Sequence, residues 1–170
     1  MMKSEELRSL QAPLKEKYRD QPASAMITLR AEGKTGDGIS CKVETGRALS
    51  VAGLHPATGG DGMLACSGDL LLEALVACAG VTLSAVATAI GIIIKDATVK
   101  AEGDLDFRGT LGVSKEIPVG FSTIRLSFIL DCDVSEEQVQ TLIKLTERYC
   151  VVYQTLVAAT EVTTRTERIS

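Results

Sequence analysis

The chain has 170 residues, of which 45% are hydrophobic and 24% are charged. This size and composition suit one globular domain with a sizeable core. The formal net charge is −4 and no basic run appears, so we expect neither a nucleic-acid surface nor an anionic-membrane surface. The first residues carry glutamates where a signal peptide would carry its apolar stretch, which predicts a cytoplasmic protein.

The cysteines do not resemble the disulfide framework of a small secreted protein, because their number is odd and the chain is long. In a reducing compartment we expect their thiols to stay free. No CxxC motif occurs, and the single histidine, His55, stands in a loop before Pro56. We therefore predict no metal site, and a lone loop histidine is more often solvated than catalytic. The five cysteines are Cys41, Cys66, Cys78, Cys132 and Cys150.

Residues 1–22 mix charges at helical spacing and predict a helical arm in front of the main domain, residues 23–170. Pro13 suits the first turn of a second short helix, so we expect the arm to break at Ala12. The main domain then begins with β-favouring segments.

Four segments of the main domain carry strand signals. Residues 25–33 and 38–53 hold short β-favouring runs punctuated by glycine, which predict a strand followed by a hairpin. Residues 99–108 and 124–132 alternate apolar and polar side chains with period two, and residues 109–120 are the predicted turn between them. Such alternation indicates an antiparallel sheet with one face on the core and the other in water.

The apolar run around Cys78 predicts the longest helix. We expect it to begin near Ser67 or Asp69, either of which can cap the first turn, and to end near Ala89 or Gly91. Helical spacing places Cys78 at the centre of the apolar face, together with Leu71, Leu75, Thr82, Ala85 and Ala89. The polar side is narrow, so most of the circumference needs cover that one small sheet cannot provide. We therefore expect an intimate homodimer.

A second helix is predicted to open at Ser135, with Gln138 completing a capping box. Its apolar stripe comprises Val139, Leu142, Ile143, Thr146 and either Tyr149 or Cys150. Because both helices must pack on the same sheet, Cys78 and Cys150 could meet. A buried free cysteine also commonly serves as a small hydrophobe, so the pair alone leaves its role open. Residues 160–170 are polar and β-favouring, and predict an exposed or edge strand.

Two of the cysteines stand in the segments GDLLLEALVACAGVTLSAV and RYCVVYQTLVAATEVTTRTE. Both segments resemble parts of the OsmC/Ohr family of thiol peroxidases. GDLLLEALVACAGVTLSAV is similar to the family's first helix, in which a carboxylate and an apolar run lead to a buried cysteine. RYCVVYQTLVAATEVTTRTE resembles its second cysteine segment and closing strand. The order of the predicted elements also matches, so the resemblance covers about residues 24–168. The N-terminal arm is compatible with a branch of the family that carries an extra helix.

This resemblance implies an α+β fold in which an antiparallel sheet packs on two long central helices of an interwoven homodimer. It implies that Cys78 is the peroxidatic thiolate and Cys150 the resolving thiol, with active sites at the dimer interface. An apolar site suits organic hydroperoxides, because an alkyl tail gains from leaving water. An external thiol or dithiol would reduce the resulting disulfide, with no bound cofactor and no nucleic-acid or membrane partner.

The residues around this pair depart from the family's pattern. The family's peroxidases organise the thiolate with an arginine from an early strand and a glutamate ten positions before the first cysteine. Gly68 stands at the latter position, and the adjacent Asp69 is the candidate carboxylate. Arg30 and Arg47 are candidate cations, and Val151 replaces the proline that often follows the second cysteine.

Two other interpretations keep the fold without the catalysis. The first is a dimeric redox-sensing or binding module whose apolar pocket takes a lipid-like or thiol ligand. The second is a purely structural dimer in which both cysteines fill the core. Peroxide-driven disulfide formation distinguishes the peroxidase from both.

Overall fold

The computed structural model describes most of the main domain and short pieces of the N-terminal arm. In the arm, residues 4–6, 9, 11–13 and 20 are helical. Residue 10 and residues 14–19 lie outside the described residues, so the break at Ala12 stays a prediction. The described residues are 3–6, 9, 11–13, 20–21, 32–35, 40–44 and 49–168.

The first sheet has four strands in the order β1-β2-β3-β4. The hairpin predicted for residues 38–53 is confirmed, because β2 and β3 pair antiparallel. The short strand β4 pairs parallel to β3, which local sequence signals did not predict. Most of the strand predicted for residues 25–33 lies outside the described residues. The strands are β1 Glu32–Thr35, β2 Ser40–Glu44, β3 Leu49–Gly53 and β4 Ala65–Cys66.

Helix α1 covers Ser67–Ile90, as predicted, and has 24 residues. Its N-cap residue is Cys66, without a side-chain capping bond, so the capping role predicted for Ser67 or Asp69 is wrong. Asp69 lies instead in the first turn, where a carboxylate interacts favourably with the free N–H groups. Gly91 ends the helix with a φ of 77°, which glycine adopts without steric cost.

The second sheet consists of β5, Ile94–Leu105, and β6, Phe121–Cys132, which pair antiparallel as predicted. Strand β5 ends three residues before the predicted limit at residue 108. The reason is local, because the Asp106 carboxylate accepts a hydrogen bond from the Arg108 N–H and starts the short helix α2, Phe107–Thr110. The connection predicted as a turn therefore begins with a helical turn.

Two helices follow β6, namely α3, Glu136–Tyr149, and α4, Val151–Val157. The predicted capping box is confirmed: Ser135 Oγ accepts the Gln138 N–H at 3.3 Å, and Gln138 Oε1 accepts the Ser135 N–H at 3.1 Å. Residues 160–168 are exposed and form no strand, so the predicted closing strand is wrong over these residues. β-favouring residues form a strand only when a neighbouring edge accepts their hydrogen bonds.

The core lies between α1, the β5–β6 pair and α3. Leu83, Val86 and Leu142 form its centre, with Val99, Phe128 and Leu130 packed against them. Helix α1 is long and apolar enough to span a membrane, but a core helix that packs against other elements meets the same criterion.

The buried side of α1 is displaced from the predicted one. Cys78 lies at the edge of the buried stripe and is only partly buried. Periodicity cannot locate the covered side of a helix that is apolar around most of its circumference. An exposed strip, Leu71, Ala74, Ala77 and Val81, runs along the other side of Cys78, and Val81 is 73% exposed. The buried stripe consists of Leu75, Ala79, Leu83, Val86 and Ala87.

Candidate active site

Cys78 and Cys150 lie against each other in the structure. Cys78 projects from the middle of α1, and Cys150 is the residue at which α3 ends and α4 begins. The two thiols are close enough that each shifts the pKa of the other. Cys150 is 1% exposed, whereas Cys78 is partly open. The two cysteines singled out from the sequence are thus neighbours in the fold.

The backbone at Cys150 turns the chain between two helices. Its φ of −74° and ψ of 110° are extended, so the helix is interrupted at this one residue. The Cys150 N–H donates to the Thr146 carbonyl at 2.9 Å, and the Tyr153 N–H donates to the Cys150 sulfur at 3.5 Å. The Gln154 side chain donates to the Glu147 carbonyl at 2.9 Å and braces the junction. The first N–H groups of α4 consequently face the two thiols.

Several nearby polar groups favour the ionised form of Cys78. Burial is the largest single effect and disfavours the thiolate. Against it act the backbone N–H groups of Val152 and Val151, the Cys150 thiol and the Thr82 hydroxyl, each of which lies near enough to the sulfur to favour the thiolate. Together these donors lower the pKa of Cys78 below its ordinary value.

The pKa of Cys150 shifts in the direction opposite to that of Cys78. Burial raises the pKa of its thiol, and the negative charge and hydrogen-bonding of Cys78 raise it further, against the lowering effect of the Tyr153 N–H. Cys78 therefore loses its proton first, while Cys150 keeps its proton beside the thiolate. This asymmetry distinguishes a nucleophile from a neutral neighbouring thiol.

Among the described residues, no positively charged side chain contributes to the pKa of Cys78. The candidate cations Arg30 and Arg47 lie outside the described residues. Asp69 is exposed and nine residues before Cys78 on α1, which is about 13 Å along a helix axis. Within one chain it makes no contact with the cysteine pair, and its catalytic role stays a prediction.

A separate cavity of about 370 Å³ lies at the start of α1, and its lining includes His55, Cys66 and Gly68. His55 Nδ1 accepts the Ala57 N–H at 3.1 Å, and its ring stacks on Phe107 at a centroid distance of 4.9 Å. His55 thus caps a short turn. In the part of the chain that the structure describes, no group of three His, Cys, Asp or Glu side chains could hold a metal ion.

Sequence reasoning missed the backbone donors at the site. Val151 and Val152 are ordinary apolar residues by type, and nothing in their side chains indicates that their N–H groups face Cys78. The sequence offers one indirect indication of these donors. Residue 151 is valine, which has a backbone N–H, whereas a proline there would have none to donate. Thr82 was placed on the side of Cys78 by helical spacing, but not assigned a role.

The contribution of the Val151 N–H can be tested by Val151→Pro. Position 151 is the first residue of α4, where proline breaks no intrahelical bond, and the extended Cys150 suits a following proline. We expect the substitution to raise the pKa of Cys78. Below that pKa, alkylation of Cys78 by iodoacetamide should slow by about tenfold, because a hydrogen bond to a charged group contributes about 1.5 kcal/mol.

The measurement is the alkylation rate of the Cys78 peptide against pH, followed by mass spectrometry. Val151→Ala is the matched control, because it keeps the N–H and should retain the wild-type profile. Val151 is 69% exposed, so neither variant removes a core side chain. A wild-type profile for Val151→Pro would exclude this N–H as a thiolate donor.

Comparison with known proteins places the chain in a family. Residues 60–165 match the family model of OsmC-like proteins. No curated protein matches the sequence significantly. Among solved structures, an OsmC-like protein from Mycoplasma pneumoniae is 16% identical, with a TM-score of 0.66 over 78% of this chain and 89% of that chain.

Two other similar structures carry more specific names. An organic hydroperoxide resistance protein OsmC from Legionella pneumophila is 16% identical, with a TM-score of 0.63 over 78% of this chain and 91% of that chain. An organic hydroperoxide resistance protein from Elizabethkingia anophelis is 18% identical, with a TM-score of 0.60 over 79% of this chain and 91% of that chain. These likenesses establish the α+β fold. Because the family model covers more than half of the sequence, the protein belongs to the OsmC-like family, which confirms the predicted resemblance.

Proposed function

We propose that this protein is a thiol-dependent hydroperoxide reductase that uses Cys78 and Cys150. The supporting observation is the proximity of the two thiols, with the pKa of Cys78 lowered and that of Cys150 raised. One sulfur is thereby available as a nucleophile at a pH where the other still holds its proton. This is the arrangement that a peroxidatic and a resolving cysteine need.

In the proposed cycle, the Cys78 thiolate attacks the distal oxygen of a hydroperoxide, and the O–O bond breaks. The alkoxide leaves and takes a proton from water to become an alcohol, while Cys78 becomes a sulfenic acid. Cys150 then attacks the Cys78 sulfur, a disulfide forms and water is released. An external thiol or dithiol supplies two electrons and two protons to restore both cysteines. No bound cofactor is required.

We propose organic hydroperoxides as substrates. A cavity of about 410 Å³ lies near Cys150, because Tyr153, whose N–H donates to the Cys150 sulfur, is one of its lining residues. Its lining is apolar at Leu75, Leu126 and Leu156 and polar at Ser122, Thr123 and Glu147. Apolar side chains favour an alkyl or aromatic tail over the small, polar hydrogen peroxide. The names of the Legionella and Elizabethkingia proteins agree with this substrate class.

We further propose that the protein works as a homodimer in the cytoplasm. The exposed strip on α1 is apolar and continuous, and a second copy packed there would also cover the partly open Cys78. Excluding water beside the thiolate strengthens the hydrogen bonds that stabilise it. A cytoplasmic location agrees with a pair of thiols that must be returned to the reduced state.

The proposed function is tested by adding one equivalent of cumene hydroperoxide to the fully reduced protein. We expect rapid formation of a Cys78–Cys150 disulfide, identified by peptide mapping, and slower formation with hydrogen peroxide. Thiols that stay unreacted on prolonged exposure would contradict the peroxidase and favour the non-catalytic binding module. A disulfide that joins Cys66 or Cys132 would contradict the assigned pair.

A further inference from the structure

The hydroxyl of Thr82 has two acceptors within reach, and both belong to Cys78. Thr82 lies one turn after Cys78 on α1, and its Oγ1 donates to the Cys78 carbonyl oxygen at 2.7 Å. The Thr82 side chain also lies one turn from the Cys78 side chain on the same side of α1, which puts the hydroxyl beside the sulfur, and it helps to lower the pKa of Cys78. A hydroxyl has one proton to donate, so it serves one of these acceptors at a time.

The Thr82 hydroxyl can leave the Cys78 carbonyl oxygen at a small cost in free energy. Within a continuous α-helix the Cys78 carbonyl also accepts the backbone N–H of Thr82, four residues on. The hydroxyl is therefore a second donor to an oxygen that stays paired after the hydroxyl turns away. Threonine in a helix also divides its population between two side-chain rotamers, so the rotation is accessible.

The better acceptor depends on the charge of the sulfur. A neutral thiol accepts hydrogen bonds weakly, whereas a thiolate is a charged acceptor whose hydrogen bonds are roughly twice as strong as neutral ones. Ser84 and Thr88 make the same bond to a carbonyl four residues back, at 3.0 and 2.8 Å, and both bonds are exposed. Thr82 differs because its hydroxyl also lies beside a sulfur that titrates.

We propose that Thr82 is a catalytic residue whose hydroxyl bonds to the Cys78 carbonyl in the thiol form and turns to the Cys78 sulfur when the proton leaves. The hydroxyl then compensates for part of the burial that opposes ionisation. Among the described residues, the titratable group that faces Cys78 is Cys150, from the junction of α3 and α4, and no charged side chain contributes. The inference concerns ionisation, and only its consequence for peroxide reduction rests on the proposed function.

A thiolate donor has opposite effects on the two sides of the Cys78 titration. Below the midpoint it raises the fraction of thiolate and speeds the reaction. Above the midpoint the thiolate is already complete, and the added hydrogen bond lowers its nucleophilicity. Removing the hydroxyl should therefore slow Cys78 at low pH without slowing it at high pH. A packing defect would not produce this crossing of the two profiles.

The test compares Thr82→Val, which keeps the shape of the side chain, with Thr82→Ser, which keeps the hydroxyl. Iodoacetamide alkylation of the Cys78 peptide is measured against pH in the reduced full chain. For Thr82→Val we expect a midpoint at higher pH, a rate about tenfold lower below it and an equal or higher rate above it. Thr82→Ser should follow the wild type.

An unchanged midpoint in Thr82→Val would overturn the inference, as would equal slowing at every pH. Cumene hydroperoxide is then added to the same proteins as a separate reaction. A shifted alkylation midpoint without any peroxide-driven disulfide would refute the proposed peroxidase and support the role of Thr82 at the thiolate. A peroxide-driven disulfide with an unshifted alkylation midpoint would support the proposed peroxidase and refute the role of Thr82 at the thiolate.

Discussion

Replacing Cys78 with serine is expected to reduce hydroperoxide consumption to the uncatalysed background. A serine hydroxyl stays protonated at neutral pH and cannot form a sulfenic acid, so the N–H groups of Val151 and Val152 would have no thiolate to stabilise. Consumption of cumene hydroperoxide in the presence of dithiothreitol measures the loss. The fold should be retained, because the change exchanges one small polar group for another at a partly open position.

Cys150→Ser is expected to give a different outcome from Cys78→Ser. The first step needs only Cys78, so this variant should reduce one equivalent of hydroperoxide and accumulate a sulfenic acid that dimedone traps. Cys66→Ser and Cys132→Ser are the controls, since both cysteines lie outside the hydrogen bonds of the pair, and they should retain turnover. Full activity in Cys78→Ser, or loss of activity in the controls, would contradict the assignment.

A substitution in the exposed strip of α1 is expected to have a large effect on dimerisation. Val81 is 73% exposed within one chain, and the proposed dimer buries it. Val81→Asp should convert the dimer to a monomer and raise the dissociation constant at least about a thousandfold. The reason is that each unpaired buried carboxylate costs several kcal/mol and a symmetric interface contains two of them. Sedimentation velocity over a range of concentrations measures the change.

Val113→Asp is the matched control for this substitution. Val113 lies in the connection after α2 and is 71% exposed, so the same residue change is made at nearly the same exposure away from the strip. It should leave the oligomeric state unchanged. A monomeric wild type would contradict the dimer outright, and a Val81→Asp protein that stays dimeric would exclude the strip as its interface.

Local sequence signals predicted the elements whose ends are determined locally. The bounds of α1 follow from a continuous apolar run that ends at Gly91, and the start of α3 follows from the Ser135 capping box. The β5–β6 pair follows from alternation of apolar and polar residues. The failures concern non-local partners: β4 pairs with β3 across a loop, and residues 160–168 form no strand despite their composition.

The sequence alone determined that two cysteines lie on the apolar stripes of two helices, because helical periodicity is a property of the local chain. Only the tertiary structure decided which of the two is the acid thiol. That difference arises at the interruption at Cys150, where the N–H groups of Val151 and Val152 help to lower the pKa of Cys78 and Cys150 itself is buried. The residue types do not show which backbone N–H groups will face a reactive side chain. Burial likewise depends on which elements pack against the helix. Reactivity at this site is therefore a property of the folded junction.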